Sequence, residues 1–187
     1  ELGLPGPFNV VSTQRVNYDD RPAASATDSV DSATQAWTIM GAPATTPNIL
    51  AWQRRALSPL SNVWWGPDNN GQIDGVKADL PDEQILVSPT MKVGTGPLVI
   101  SFSHRFSFEA TGWDGGVVEL TNDGGATWTD IGTSAYNGST NGVTAAPIGI
   151  NRPAFVNRRV GWPNFANVSL NLRTTFANQH VKIRFRI

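Results

Sequence analysis

Carboxylates that could do chemistry concentrate around residues 109–132. The stretch 113–132, WDGGVVELTNDGGATWTDIG, holds four acidic side chains, and Glu109 and Asp114 flank the loop that leads into it. Two carboxylates ~5 to 10 Å apart in a cleft could serve a glycosidase as its acid and its nucleophile or base. Asp114 also precedes two glycines, so it could close a turn, join an ion pair or bind calcium, and we favour this second interpretation.

A second acidic stretch is the segment 68–83, DNNGQIDGVKADLPDE, which sets carboxylates among Asn and Gly residues. Such hard oxygen ligands suit Ca²⁺, but the spacing does not match an EF-hand, and a solvated loop is the alternative. If structural calcium binds, its candidate ligands are Asp31, Glu109, Asp114, Asp79 and Asp82. No other cofactor is expected.

Residues 121–128, TNDGGATW, fit the Asp-box pattern through Thr121, Asp123, Gly125, Thr127 and Trp128. Asp123 at the tip of a hairpin can accept hydrogen bonds from the backbone N–H groups of the turn. The neighbouring glycines supply positive φ without a steric cost. We therefore predict that this acidic residue holds a turn and takes no part in a reaction.

Tryptophans are the other residues with a possible binding role. Trp64, Trp65, Trp113 and Trp162 lie in or near predicted loops, as does Trp52. Exposed indole rings could stack on sugars, whereas a large aromatic ring in a loop commonly packs beneath it. The first interpretation would make the chain a carbohydrate-binding module.

Several classes of chemistry find no support in the sequence. The chain has no cysteine, which excludes disulfides, thiolate metal sites and cysteine nucleophiles. It contains no His-Glu-x-x-His, Gly-x-Ser-x-Gly or P-loop motif. A net charge of -1 does not favour nucleic acid or an anionic membrane as partner, and no apolar run approaches ~18 residues. His104 is predicted to be a neutral, hydrogen-bonded core residue, and His180 to lie in a turn.

The elements that would position these residues are β-strands. Residues 98–109, LVISFSHRFSFE, alternate strictly between apolar and polar, with His104 on the apolar face, as a half-buried antiparallel strand does. QILVSP, GVVELT, TWTDIG, NVSLNLR and HVKIRFRI give shorter strands, and turn signals separate them. The predicted fold is all-β: a two-sheet antiparallel β-sandwich of jelly-roll type. A row of outward charges could form a cross-strand ladder or a polar recognition face, and comprises Arg105, Glu109, Glu119, Lys182, Arg184 and Arg186.

The 187 residues suit one domain with an extension. Residues 1–30 are poorly patterned and are predicted to be an irregular N-terminal extension or linker, and 31–187 to be the sandwich. The chain begins at Glu1 with neither Met nor a leader, so we expect a mature or excised piece of something longer.

Between Asp31 and Ile187 the chain contains, in this order, the motifs LVSPTMKV, PLVISFSHRFSFE, WDGGVVELTNDGGATWTDIG, YNG, GW, VSLNL and HVKIRFRI. This ordered set resembles the MAM-like, jelly-roll accessory domains of secreted bacterial metallopeptidases. These domains occur beside immune-inhibitor-A-like and fungalysin-like catalytic domains. The resemblance implies a two-sheet sandwich without catalytic residues that often binds structural calcium and supports adhesion, substrate engagement or domain stabilisation. It also implies an extracellular location.

The chain departs from that family at its C-terminal end. The family pattern continues past the RFR strand to a final strand that carries an Asp calcium ligand, whereas this sequence stops at Ile187. Asp31 matches the family's first acidic position. We expect the last family strand to be absent or supplied from elsewhere, which would leave an exposed sheet edge. Its partner would be the N-terminal segment, another domain of the parent protein or a strand of another chain, and a glycan or protein substrate is the expected ligand.

Overall fold

The computed structural model describes residues 26–32, 34–41, 52–66, 83–141 and 148–187. Within these ranges every regular element is a β-strand and every pairing is antiparallel, so the predicted all-β antiparallel sandwich is confirmed. The strands are β1 (Thr38–Gly41), β2 (Gln53–Ser58), β3 (Ser61–Trp65), β4 (Gln84–Val87), β5 (Met91–Lys92), β6 (Val99–His104), β7 (Gly115–Thr121), β8 (Thr129–Asp130), β9 (Gly138–Ser139), β10 (Pro153–Val156), β11 (Ala166–Asn171) and β12 (His180–Arg186). No helix in the described residues is long and apolar enough to cross a membrane.

The larger layer is a sheet with the strand order β1-β4-β12-β7-β10-β9, to which β5 and β8 add short pairings. Its centre is β7, all of whose residues are buried. The inner face of β7 contributes Val118 and Leu120 to the main core, and its outer face contributes Val117 to a smaller cluster beside β10. A strand that is buried on both faces explains why GGVVEL is more continuously apolar than its neighbours.

The smaller layer consists of β6 and β11, which pair from Val99↔Asn171 to His104↔Ala166. Aromatic side chains join the two layers: the ring centroids of Phe102 and Phe185 lie 5.1 Å apart, and those of Phe106 and Phe155 lie 5.3 Å apart. The inward face of β6 is the apolar face of the alternation in residues 98–109. The strand ends at His104, however, and beyond it only Ser107 forms an isolated bridge, with Arg158.

A hairpin of β2 and β3 forms a third unit, and neither strand pairs with any other described strand. The segment 28–31 is tied to this hairpin, because the side chain of Asp31 accepts a hydrogen bond from Asn62 N–H at 2.7 Å and Arg54 Nε donates to Val30 C=O at 2.7 Å. From the sequence, ILAWQRRAL (49–57) could be either a strand or a helical turn, and the Pro, Gly and Asn residues of 58–84 predict turns, so β3 is not predicted by the sequence.

His104 is packed against three aromatic rings, with centroids 5.2 Å from Phe102, 5.2 Å from Phe106 and 4.5 Å from Phe155. Burial lowers the pKa of His104 to about 4, and the positive charge of Arg159 adds to this effect. The neutral imidazole is therefore the form that the folded chain holds at neutral pH.

We expect the melting temperature to fall as the pH drops from about 6.5 to about 4, because in this window the unfolded chain binds a proton at His104 that the folded chain does not. The stability is fully present above the unfolded pKa and is lost as the pH falls. His104→Phe should flatten the profile in this window, whereas His180→Gln should keep it. An equal fall in the wild type and in His104→Phe would contradict the assignment.

Candidate functional site

A cleft of about 1480 Å³ lies between β6 and the hairpin of β2 and β3. Its floor is the inner face of the larger sheet, through Leu86, Val118 and Phe185. One wall is the segment 99–108, and the opposite wall is formed by the hairpin together with residues 26–30. The lining is predominantly apolar and aromatic, which is typical of a binding cleft.

Every residue from Val99 to Phe108 lines this cleft, whereas none of the residues of β11 does. A strand whose successive residues all border one space presents its edge there, since successive side chains point to opposite faces. The C=O of Leu98 accepts from Leu172 N–H at 2.9 Å, so the even-numbered residues direct their backbone groups toward β11. The backbone N–H and C=O groups of Val99, Ser101 and Ser103 consequently point into the cleft.

The structure brings three of the four predicted ligand-binding tryptophans together. Trp64, Trp65 and Trp162 line the cleft, whereas Trp113 lies outside its described lining and is 57% exposed. Trp64 and Trp65 are the last two residues of β3, so they lie on a strand next to the segment that follows it. Trp52, just before β2, also lines the cleft.

Arg105 stands at the rim of the cleft with two aromatic side chains. Its guanidinium carbon lies 5.5 Å from the ring centroid of Trp162 and 4.9 Å from that of Phe165, and Nη1 donates to Pro163 C=O at 3.1 Å. Trp162 is 40% exposed and Phe165 is 38% exposed. The result is an accessible patch that is aromatic and positively charged. The sequence places Arg105 in a row of outward charges that could be a ladder or a polar recognition face, and it does not group Arg105 with Trp162.

The carboxylates that suggested a glycosidase do not border the cleft. Neither Glu109 nor Asp114 is among the described lining residues, where the only carboxylate is that of Asp28. That group is already engaged, since Asp28 Oδ2 accepts from Trp37 Nε1 at 2.6 Å and Oδ1 accepts from Val30 N–H at 2.7 Å. The described cleft therefore does not offer the pair of carboxylates that glycoside hydrolysis uses.

Among the described residues, the predicted calcium ligands Asp31, Glu109 and Asp114 are not gathered into one site. No three His, Asp or Glu side chains in the described ranges are grouped so that they could hold a metal ion. The carboxylate of Asp31 instead accepts from the backbone and the side chain of Asn62, and the backbone hydrogen bond lowers its pKa. Asp79 and Asp82 lie outside the described residues. Calcium binding stays a prediction.

A buried ionic cluster lies on the other face of the larger sheet. Glu119 is 3% exposed, and its two carboxylate oxygens meet Arg152 Nη2 at 2.6 Å and Arg184 Nε at 2.5 Å. Asp130 pairs with Arg152 at 2.8 Å, and Arg186 contacts Glu83. The sequence had predicted an outward row of charges here, and Glu119 differs from that expectation because residues between β8 and β10 cover it. The carboxylates and guanidinium groups of this cluster pair with one another, which suits a role in stability.

Arg152 joins the parts of this cluster. Burial lowers the pKa of its guanidinium, but the hydrogen bonds to Asp130 and Glu119 outweigh burial and raise the pKa above its ordinary value. Tyr136 completes the network, since its hydroxyl donates to Asp130 at 2.7 Å and accepts from Val118 N–H at 2.9 Å. Burial raises the pKa of this tyrosine well above its ordinary range, so the hydroxyl stays protonated and can donate.

The turn between β7 and β8 is held by Asp123. Its Oδ1 accepts from the Thr121 hydroxyl at 2.6 Å and from Thr127 N–H at 3.0 Å, and Oδ2 accepts from the Thr127 hydroxyl at 2.6 Å. These bonds hold the pKa of Asp123 far below its ordinary value. Gly124 and Gly125 have φ of 78° and 113°. Trp128 follows, with the Arg184 guanidinium 4.3 Å from its ring centroid.

Asp123→Ala should lower the melting temperature by several degrees, because it removes the acceptor on which the turn's N–H and hydroxyl donors converge. Asn122→Ala, at the preceding residue, serves as the matched control and should change the melting temperature less. Thermal unfolding followed by circular dichroism measures both. Equal melting temperatures for the two variants would contradict this role of Asp123.

No protein-family model matches the chain, and no characterised protein matches its sequence. Among solved structures, the chain is similar to a cleaved adhesin domain of Lys-gingipain from Porphyromonas gingivalis. That match has a TM-score of 0.46 and 11% sequence identity, and it covers 85% of this chain and 90% of the adhesin chain. A likeness this distant carries no conclusion about the activity of this chain.

Proposed function

We propose that this chain is a non-catalytic binding module of a secreted multidomain protein, and that the cleft beside β6 is its binding site. The observation that carries the proposal is the cleft itself. Its volume of about 1480 Å³ exceeds the roughly 300–1,000 Å³ of a typical small-molecule pocket. A segment of a polymer is therefore the better match in size.

The composition of the cleft favours binding over bond breaking. Its described lining is predominantly aromatic and aliphatic, with Asp28 as the one side-chain carboxylate, which accepts a hydrogen bond from Trp37. Aromatic side chains and arginine are the residue types that carry most of the free energy of binding in protein interfaces. The motif resemblance to accessory domains of secreted metallopeptidases supports placing the parent protein among extracellular peptidases, where such a module would engage the substrate or a surface.

Binding can be tested by offering the isolated chain a glycan array and a displayed library of short linear peptides. We expect saturable binding in one of the two screens. Trp162→Ala should weaken it by about tenfold or more, as the loss of an aromatic anchor does. Trp113→Ala removes an exposed tryptophan outside the described lining and should leave the affinity unchanged. The absence of any ligand, or equal affinity in both variants, would contradict the proposal.

A carbohydrate ligand is the second candidate, because Trp64, Trp65 and Trp162 share the cleft. Sugar binding needs an indole ring with a free face. One face of Trp65 is covered by Arg55, whose guanidinium carbon lies 3.4 Å from the ring centroid, and Trp162 is close to Arg105. Hits confined to the glycan array would favour this candidate over a peptide ligand.

A further inference from the structure

We propose that the ligand of the cleft is an extended peptide strand of a partner protein, which adds to the smaller sheet at the edge of β6 that no described strand occupies. This inference rests on the proposed function and gives it a ligand class. The partner is recognised by chemistry that any polypeptide carries, its alternating backbone donors and acceptors, and by a side-chain pattern that the cleft selects.

The open edge of β6 is the first reason. On the side away from the cleft, β6 pairs with β11 through six residue pairs. Beyond His104 the chain still forms hydrogen bonds on that side, since Phe108 N–H donates to Asn157 C=O at 3.0 Å. On the cleft side no described strand pairs with it. The backbone donors and acceptors on the cleft side therefore form a row that repeats every second residue, which is also the repeat of an extended peptide. They belong to Val99, Ser101, Ser103, Arg105 and Ser107.

The floor of the cleft selects the side chains of the added strand. The core-facing side chains of Phe102, Phe106 and Phe108 are only partly buried, and all three line the cleft. A strand beside β6 would place every second side chain on this apolar face and the others toward solvent. We therefore expect a ligand with apolar residues at alternate positions.

Charge selects one further feature. Arg105 is exposed at the rim, and among the ion pairs of the described residues it has no carboxylate partner. An Asp or Glu of the ligand could form a charge-assisted hydrogen bond with it.

The experiment uses the full chain and a displayed library of short random linear peptides. We expect the selected peptides to alternate apolar and polar residues and to carry an acidic residue. The best peptide is then synthesised in two N-methylated forms, each blocking one alternate set of amides. The form that blocks the amides facing β6 should bind about tenfold or more weakly, and the other form should bind like the parent peptide.

A protein variant tests the same edge from the other side. Ser101→Pro removes an N–H that points into the cleft and that β11 does not use, so peptide binding should be lost while the melting temperature is kept. If both N-methylated forms bind like the parent peptide, strand addition is overturned.

Four other results would also overturn strand addition by a partner. Binding of glycans but of no peptide would overturn strand addition and leave the proposed binding function intact. Binding of neither kind of ligand would overturn both the strand addition and the proposed function. Slow hydrogen exchange at Val99, Ser101 and Ser103 in the monomeric chain without peptide would mean that the chain covers its own edge. A dimer without peptide that shows the same protection would make a second copy the occupant.

Discussion

Glu119→Gln is expected to lower the free energy of unfolding by about 3 to 5 kcal/mol, because it removes the buried carboxylate that pairs with Arg184 and that shares Arg152 with Asp130. The side chain of Glu119 is 5% exposed, and those of Arg152 and Arg184 are 21% and 16% exposed. Both arginines reach the carboxylate at hydrogen-bond distance, and Arg186 Nη1 lies 3.7 Å away. Gln has the same size and shape, but it removes the charge and replaces one of the two accepting oxygens by an NH2 donor that faces a guanidinium group.

Chemical denaturation of Glu119→Gln measures this loss, and Glu109→Gln is the matched control. Glu109 undergoes the same substitution but takes no part in the ion pairs among the described residues. We expect the control to unfold like the wild type. A Glu119→Gln protein with wild-type stability would show that the cluster does not stabilise the sheet.

Phe155→Ala is expected to cost a similar amount, about 3 to 5 kcal/mol, through the lost burial of the ring and the cavity that remains. Phe155 is 6% exposed, and its ring centroid lies 4.5 Å from that of His104 and 4.9 Å from that of Tyr136. The ring thus connects the larger sheet to the smaller one and to the connection that carries Tyr136.

The matched control for this variant is Phe165→Ala, which removes the same side chain from the rim of the cleft, where it is 38% exposed. Its effect on the free energy of unfolding should be under about 1 kcal/mol, as for most surface substitutions. Equal losses in the two variants would contradict the placement of Phe155 in the core between the layers.

β6 could be predicted from strict alternation. The segment 98–109 contains one apolar face from Leu98 to Phe108, and that local pattern assigns a strand and its buried side, although the strand itself ends at His104. β3 could not be assigned in this way, because Ser61–Trp65 has no alternation and lies among Pro, Gly and Asn turn signals. Its pairing with β2 is what makes it a strand.

The buried state of Glu119 could not be predicted, because it depends on residues far away in sequence. An acidic residue in GVVELT is normally taken to face solvent. Arg152 comes from the loop before β10, and only the folded chain brings it above Glu119. The pairing with Arg184 was foreseeable once both strands were recognised, since the two residues are directly opposite each other on β7 and β12.

The cleft also could not be predicted from local sequence patterns. The tryptophans were identified by residue type, but their separation into Trp64, Trp65 and Trp162 within the cleft and Trp113 outside its described lining follows from the layer arrangement. Sequence reasoning predicted an exposed sheet edge at the end of the domain. The structure gives β6 an edge with no described partner, in the middle of the chain.

The most direct test of the account is an NMR titration of the full chain with the ligand that the screens select. We expect the amide resonances of Val99, Ser101, Ser103 and Arg105 to shift together with the indole resonance of Trp162. Those of Trp113 and of the turn at 121–128 should stay in place. Shifts that cluster at Trp113 or at the turn, with β6 unchanged, would contradict the assignment of the cleft as the binding site.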